Sequence, residues 1–364
     1  MVFLEVDRHK AYSNIKYSLH IAGWFYSGLI LFLFLKSGLS FRLYLWLSIY
    51  LKEVFILPFY LAVVSAGYYL ITFPLAFYQG YFLEHKFNLS TQTFKVWLKD
   101  SIKSGLLSYL IGLLVLSVFY FILGCLPRAW WLAMSLFWVF FSLILAKILP
   151  VVIIPLFFKY KRLDDNLLRE RIMRLASKMN IKLLDCFEID FSSKTLKANA
   201  AFVGVGKTRR VILADTLKDK YTIDEIEVIL AHEFAHYRLR HLLKLIACNS
   251  LVTAFNFYVI FKTSRFFLEA FGFLSLREVA AIPLLVLYFL LLSVITRPLE
   301  AFISRRFERG ADRMALTVTG LKGAFISMMN KLSEQNLADR SVNPLIKFFF
   351  FDHPPVEERI RDAK

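Results

Sequence analysis

The chain of 364 residues is 58% hydrophobic and contains 38 phenylalanines. Soluble domains carry about 45–50% apolar residues, so this excess excludes an ordinary soluble enzyme and indicates several membrane spans. The net charge of +17 does not indicate a nucleic-acid-binding protein, because the lysines and arginines flank apolar segments, where they face anionic lipid headgroups. Three scattered cysteines without a CxxC pair argue against a disulfide framework and against zinc binding by cysteine.

Six segments are long and apolar enough to cross a membrane as helices, which takes about 20 residues each. They cover residues 17–35, 54–78, 105–125, 130–150, 242–262 and 279–297. The first is too long for the apolar core of a cleavable signal peptide, so we expect it to remain as an anchor. The apolar stretch 41–51 fits either an interfacial helix or an extension of the second span.

The distribution of positive charge predicts how the chain crosses the membrane, because cytosolic loops carry more lysine and arginine than external loops. If the chain crosses the membrane six times, one side carries more cations than the other. That side holds the N-terminus, the 79–104 loop and the two polar segments. We therefore expect both termini and the active site to face the cytosol, at the inner membrane if the protein is bacterial.

The chain divides into two membrane regions and two polar segments. We expect an N-terminal transmembrane region at 1–155, a soluble catalytic segment at 156–241, a transmembrane hairpin at 242–297 and a C-terminal catalytic segment at 298–364.

The polar segments predict a small folded domain. Apolar residues at helical spacing predict a helix over 164–179, while 183–191, 198–204 and 211–215 have the composition of strands. The last two strands are expected to pair around the turn GVGKTRR. The predicted fold is a mainly α-helical polytopic membrane protein with a zincin-like α+β catalytic domain that contains a small β-hairpin or sheet.

The motif HEFAH indicates metal chemistry. Thr222 and Glu225 form a T-x-x-E capping box, which starts a helix and places the motif near its third turn. His232 and His236 then lie one turn apart on one face, where they can bind one ion. Glu233 lies beside them, close enough to take a proton from a zinc-activated water. The spacing predicts a zinc protease.

The two histidines also fit a role without metal. The pair could contact headgroups or backbone carbonyls at the membrane interface, although polar groups on an apolar helix are costly without partners. His241, within the basic run RLRH, is expected to lie in solvent or against headgroups rather than on the metal.

A catalytic zinc takes a third protein ligand and keeps one position open. The last two spans form a hairpin that returns the chain to the face that carries HEFAH, and Glu308 lies in the returning helix. Asp312 follows one turn later and can accept the second ring N–H of a ligating histidine. Glu300 is the alternative ligand, and an ion pair with neighbouring arginines is the alternative role of Glu308.

Between about residue 70 and 364 the sequence resembles the type I CAAX prenyl proteases, which are integral-membrane zinc metalloproteases. The matching pieces are FLEHKFNLST (82–91), IIPLFFKYKRL (153–163), ANAAFVG and RRVILADTL (within 198–217), HEFAHYRLRH (232–241), SRRFERGAD (304–312) and DHPPVEERI (352–360). The resemblance implies one Zn²⁺ per chain with Glu308 as the third ligand. It also implies cleavage near the C-terminus of prenylated or otherwise hydrophobic substrates.

The resemblance implies further roles. Asn199 matches an asparagine that aligns the substrate backbone, and His353 matches a histidine that stabilises the oxyanion. By residue type alone, Asn199 would lie in a turn or start a strand, and His353 would be a capping or surface histidine. We expect the peptide to add to the strand that contains Ala200, Ala201, Phe202 and Val203.

The chain departs from the long eukaryotic members of that family. It lacks their additional N-terminal span and their charged insertion, and Lys197 and Ala198 replace a histidine and a serine that commonly precede the asparagine. These features indicate a short, prokaryotic form.

The sequence as a whole predicts a membrane zinc endopeptidase whose partners are peptide or protein substrates, prenylated ones included, and membrane lipid. One alternative is a quality-control metalloprotease that degrades misfolded membrane proteins. A remote alternative is a non-catalytic scaffold or transporter with a metal site, which would have no use for Glu233. The stretch AFVGVGKT (201–208) nearly matches a phosphate-binding loop, but a strand should follow it rather than a helix, so we expect no nucleotide.

Overall fold

The computed structural model describes residues 2–204, 209–340 and 342–364, with side chains from residue 8 onward. Within this part of the chain, six helices are long and apolar enough to span a membrane: Arg8–Lys36, Glu53–Lys86, Phe94–Cys125, Trp130–Phe157, His241–Ala270 and Val279–Thr319. Each predicted span lies inside one of these helices, so the prediction of six spans is confirmed. Helices suit apolar runs because they satisfy their backbone hydrogen bonds internally.

The N-terminal region is helical in the part that the structure describes. Its α-helices are α1 Val2–Lys36, α2 Leu39–Tyr50, α3 Glu53–Phe77, α4 Leu83–Lys86, α5 Phe94–Cys125, α6 Trp130–Ile148 and α7 Ile154–Phe157. Short π-helical segments, Tyr78–Phe82 and Leu149–Ile153, join α3 to α4 and α6 to α7.

The stretch 41–51, which the sequence left ambiguous, forms most of α2, a helix separate from the second span. Its 12 residues make it about 18 Å long, which is less than the ~30 Å hydrocarbon core. Gly38, with φ 71°, makes the turn from α1 into α2. Ser40 anchors α2 through hydrogen bonds with the hydroxyl of Tyr60 at 2.7 Å and the carbonyl oxygen of Ala280 at 2.5 Å.

The rest of the chain builds a small α+β region and the last two long helices. Its elements are β1 Tyr160–Arg162, α8 Asn166–Lys178, β2 Asp185–Ile189, β3 Ala200–Val203, β4 Arg210–Ala214, α9 Asp215–Lys218, α10 Ile223–Arg238, α11 His241–Ala270, α12 Ile282–Thr319, α13 Lys322–Asn336, α14 Pro344–Phe350 and α15 Val356–Ala363. The helix predicted over 164–179 is confirmed as α8, and Asp165 caps it by accepting a hydrogen bond from the Leu168 N–H at 3.0 Å.

The strands form one sheet in the order β1-β2-β4-β3. β3 and β4 pair antiparallel, with Ala200 opposite Leu213, so the predicted hairpin strands are confirmed. Most of the turn between them, residues 205–208, lies outside the described residues. Sequence patterning missed β1, because three residues are too few to show alternation.

The core of the α+β region surrounds α10. Val228, Leu230, Phe234 and Ala235 are fully buried. These apolar residues of α10 pack between β3 and the C-terminal half of α12, where their removal from water stabilises the fold. The HEFAH motif is therefore held inside a packed core rather than on a loop.

Candidate metal centre

The start of α10 is fixed by the capping box that the sequence predicted. The Thr222 hydroxyl oxygen accepts a hydrogen bond from the Glu225 N–H at 3.3 Å, and the Glu225 carboxylate accepts one from the Thr222 N–H at 2.8 Å. Glu225 also pairs with Lys331 of α13 at 2.7 Å. Because both ends of the box are satisfied, the register of the histidines two turns later is well defined.

His232, His236 and Glu308 come together across α10 and α12. The Nε2 atoms of His232 and His236 lie 3.1 Å apart. The Glu308 carboxylate places Oε2 3.3 Å from His232 Nε2 and Oε1 3.2 Å from His236 Nε2. The ligand atoms of the three residues lie within 4.8 Å of one another, which forms a group that can hold one metal ion.

The donor set fits zinc. Two imidazoles and one carboxylate are a ligand combination of catalytic zinc sites. Glu308 is buried, and its Oε2 atom lacks a hydrogen-bond partner among the described residues. A buried carboxylate oxygen without a partner is costly, and a cation between it and the two imidazole nitrogens would satisfy it.

The alternative roles of the α12 carboxylates find no support in the geometry. Glu300 lies outside the ligand group and contacts Arg297 at 4.0 Å. Arg305 donates hydrogen bonds to the carbonyl oxygens of Lys347 and Phe351, and Arg309 contacts Glu358 at 3.1 Å. Arg305 and Arg309 thus bind the C-terminal segment rather than Glu308.

Asp312 lies behind His232. Its Oδ1 atom is 2.9 Å from His232 Nδ1. Arg359 of α15 holds the carboxylate with two hydrogen bonds, Nε to Oδ2 at 2.8 Å and Nη2 to Oδ1 at 2.6 Å. A partner on the outer ring nitrogen fixes the orientation of a metal-binding histidine. The sequence did not single out Arg359, because a contact across 47 positions leaves no local pattern.

The prediction that His241 lies in solvent or against headgroups was wrong. Its ring is buried, with 4% of the residue exposed, and it stacks on Phe307 with ring centroids 4.6 Å apart. Its Nδ1 atom lies 3.1 Å from Nδ1 of His236. On one continuous helix the two residues would point about 140° apart. Arg240, at φ 56°, instead ends α10 and starts α11 at a new angle, which returns the ring to the site.

The protonation of the site reflects its burial and its charges. Burial raises the pKa of Glu233 above its usual range, and the neighbouring imidazoles only partly oppose this. For His232, burial disfavours the charged ring, yet the carboxylates of Asp312 and Glu308 prevail and raise its pKa to about 9.

A cavity of about 400 Å³ lies beside these groups and is lined by residues that include Asn199, Ala200, Glu233 and His353. His353 Nε2 is 3.5 Å from Glu308 Oε2, and its Nδ1 atom lies 2.8 Å from Asp352. The structure thus brings Asn199 and His353 to the same cavity as the metal-binding group, while their roles stay predictions.

The strand before the cavity is held by side chains as well as by the sheet. The Asn199 carbonyl oxygen accepts a hydrogen bond from the Ala214 N–H at 3.0 Å. The Asn336 side chain accepts one from the Ala198 N–H at 3.0 Å. β3 pairs only with β4 among the described strands, and Phe202 packs against Phe234.

Two family models match the chain. Residues 162–364 match peptidase family M48, and residues 4–159 match the model described as CAAX prenyl protease N-terminal, five membrane helices.

Several known proteins are similar to this chain over most of their own length. An uncharacterized metalloprotease of Bacillus subtilis, YhfN, is 33% identical over 97% of this chain and 84% of its own. CAAX prenyl protease 1 of Saccharomyces cerevisiae is 30% identical over 83% of this chain and 70% of its own. The crystal structure of S. mikatae Ste24p matches with a TM-score of 0.89 at 26% identity, over 99% of this chain and 89% of that chain.

Proposed function

Because the chain belongs to peptidase family M48 and is an integral-membrane zinc metalloendopeptidase, we propose that it hydrolyses peptide bonds at the centre between α10 and α12. The observation that carries this proposal is the convergence of His232, His236 and Glu308 within 4.8 Å. Bound zinc supplies a Lewis acid that polarises a carbonyl and lowers the pKa of water towards 7.

The remaining steps belong to side chains of this chain. Glu233 accepts the proton of the attacking water and passes it to the leaving amine. Its position supports this role, because Glu233 lines the same cavity as His232 and lies next to it on α10. His353 donates to the oxyanion that develops on the scissile carbonyl, since it lines the same cavity as Glu233.

The substrate lies along β3. Asn199 orients its backbone, and the edge of Ala200–Val203 that pairs with no other described strand accepts it as an added strand. Asp312 and Arg359 keep His232 in its binding orientation.

The substrates are prenylated or otherwise hydrophobic peptides cut near their C-terminus. Two features support this class. The S. cerevisiae relative is a CAAX prenyl protease. Apolar side chains also form much of the cavity wall, among them Leu217, Ile229, Met328, Met329 and Leu332.

A peptide panel tests the substrate. Purified zinc-loaded protein would receive a peptide with a farnesylated C-terminal CAAX sequence, the same peptide without the lipid, and an unrelated unfolded membrane-protein segment. Faster cleavage of the farnesylated peptide supports the proposal. Equal cleavage of all three would favour a quality-control protease, and cleavage of none would contradict peptide hydrolysis at this site.

The site faces the cytosol, as the distribution of cations indicates. This orientation places the end of α5 on the outer side, where Cys125 is exposed. A membrane-impermeant thiol reagent should therefore label Cys125 in intact cells. Labelling that appears only after the membrane is opened would reverse the orientation.

A further inference from the structure

The outer nitrogens of the two ligand histidines have different partners. His232 Nδ1 faces the carboxylate of Asp312 at 2.9 Å. His236 Nδ1 faces another imidazole, His241 Nδ1, at 3.1 Å. We infer that His241 is a positioning residue that holds His236 in its metal-binding orientation. The inference rests on the proposed function, because it takes His236 to be a ligand.

The contact fixes which nitrogen carries the proton. Two ring nitrogens 3.1 Å apart attract each other only when one donates and the other accepts. His236 turns its Nε2 towards Glu308 at 3.2 Å, so this nitrogen must be free of its proton to bind a metal. The proton of the neutral ring then lies on Nδ1, which donates to Nδ1 of His241.

The surroundings of His241 make it a fixed acceptor. Its ring lies almost parallel to Phe307, at an interplanar angle of 9°, and the residue is buried. Its backbone begins α11 directly after the left-handed Arg240. Phe307 precedes Glu308 in α12, so the helix that supplies the carboxylate also supplies the wall against which His241 stacks.

The two proposed histidine ligands therefore differ in the charge of the group that holds their outer nitrogen. Asp312 is a charged acceptor and is itself held by Arg359. His241 accepts without adding a second negative charge next to the ligand group. The protein thereby orients both imidazoles while it limits the negative charge around one divalent ion.

Two substitutions of similar size and polarity separate positioning from packing. An asparagine side chain can place its oxygen near the position of Nδ1, whereas a glutamine side chain reaches the position of Nε2. We expect His241→Gln to weaken zinc binding about 10–100-fold, the usual effect of losing the outer partner of a ligand. His241→Asn should remain within about threefold of wild type, since it keeps the acceptor.

The quantity to measure is the dissociation constant for zinc. It is determined for the whole chain in detergent, by competition with a chromophoric chelator. Thermal unfolding in excess zinc shows that each variant is folded. His232→Ala, which removes a proposed ligand, sets the scale for loss of the site.

The outcomes are distinguishable. Weak binding by the glutamine variant with rescue by asparagine supports the inference. Equal affinity of both variants, whether both match wild type or both are weakened, overturns it. If one variant does not fold, the Co²⁺ absorption spectrum of the other decides: it should be unchanged for asparagine and altered for glutamine, and the reverse contradicts the inference. Wild-type protein that binds no zinc, or His232→Ala that binds it fully, would instead contradict the proposed function.

Discussion

The membrane helices and the region around α10 use apolar residues in opposite ways. Leu70 in α3, Leu251 in α11 and Ile295 in α12 are each more than 70% exposed. In α10, Leu230 and Phe234 are fully buried. Lipid is as apolar as leucine, so hydrophobic burial does not determine how the membrane helices pack. The α+β region has a core of buried apolar side chains, and there burial does determine the packing.

The helix α12 belongs to both regions. Ile295 in its first half is exposed, whereas Ala311 in its second half is fully buried against the core. Glu308 lies in this second half. The comparison teaches that the first half of α12 returns the chain to the site, and that the packed second half holds the Glu308 carboxylate beside His232 and His236.

The largest effect is expected at Glu233, the proposed general base. Glu233→Gln removes the proton acceptor but not a proposed ligand, so cleavage should fall about 10²–10⁴-fold while zinc content is retained. Cleavage of a fluorogenic peptide and elemental analysis of the same sample measure the two quantities. Asp224→Asn, on the same helix, is the matched control and should match wild type. Undiminished cleavage by the glutamine variant would exclude Glu233 as the base.

The next effect concerns the two carboxylates of α12. Glu308→Ala removes a proposed ligand and should weaken zinc binding by more than the roughly 100-fold that an outer partner can cost. Glu300→Ala alters the same helix outside the ligand group and should leave the affinity unchanged. If the two results are exchanged, Glu300 is the ligand and the membrane half of α12 supplies the site.

A smaller effect is expected behind His232. Asp312→Asn keeps the shape of the side chain but loses the charge that faces His232 and Arg359. Zinc affinity should fall about 10–100-fold, as measured by chelator competition. Arg313→Gln, at the exposed neighbouring position, serves as control. An asparagine variant with wild-type affinity would show that Asp312 does not orient the ligand.

The smallest effects compare the same substitution in the two regions. Leu230→Ala removes a fully buried side chain in α10 and should cost about 2–5 kcal/mol of unfolding free energy. Leu70→Ala removes a side chain that is 71% exposed in α3 and should cost less than about 0.5 kcal/mol. Thermal unfolding of both variants in detergent measures the difference. Similar losses would show that the membrane helices also depend on packing at Leu70.

The sequence predicted those features that have a local or compositional pattern. The spans follow from apolar length, α10 begins at its capping box, and the spacing of the HEFAH residues places both histidines on one face. Glu308 was singled out because the last two spans return the chain to the membrane side that carries HEFAH. The family resemblance then favoured Glu308 over Glu300 as the third ligand.

The features that were missed depend on contacts between distant parts of the chain or on a single backbone angle. The left-handed Arg240 redirects His241, and nothing in the run RLRH indicates this turn. Arg359 reaches Asp312 from the last helix of the chain. β1 exists because β2 provides its edge, since its own three residues carry no strand pattern.

The central claim is that His232, His236 and Glu308 hold one zinc ion between α10 and α12. X-ray absorption spectroscopy of the purified zinc protein tests it most directly, with zinc content determined on the same sample. The account predicts one zinc per chain, two imidazole ligands with the remaining ligands oxygen, and one imidazole fewer in His236→Ala. A spectrum without imidazole scattering, or one that His236→Ala leaves unchanged, would contradict it.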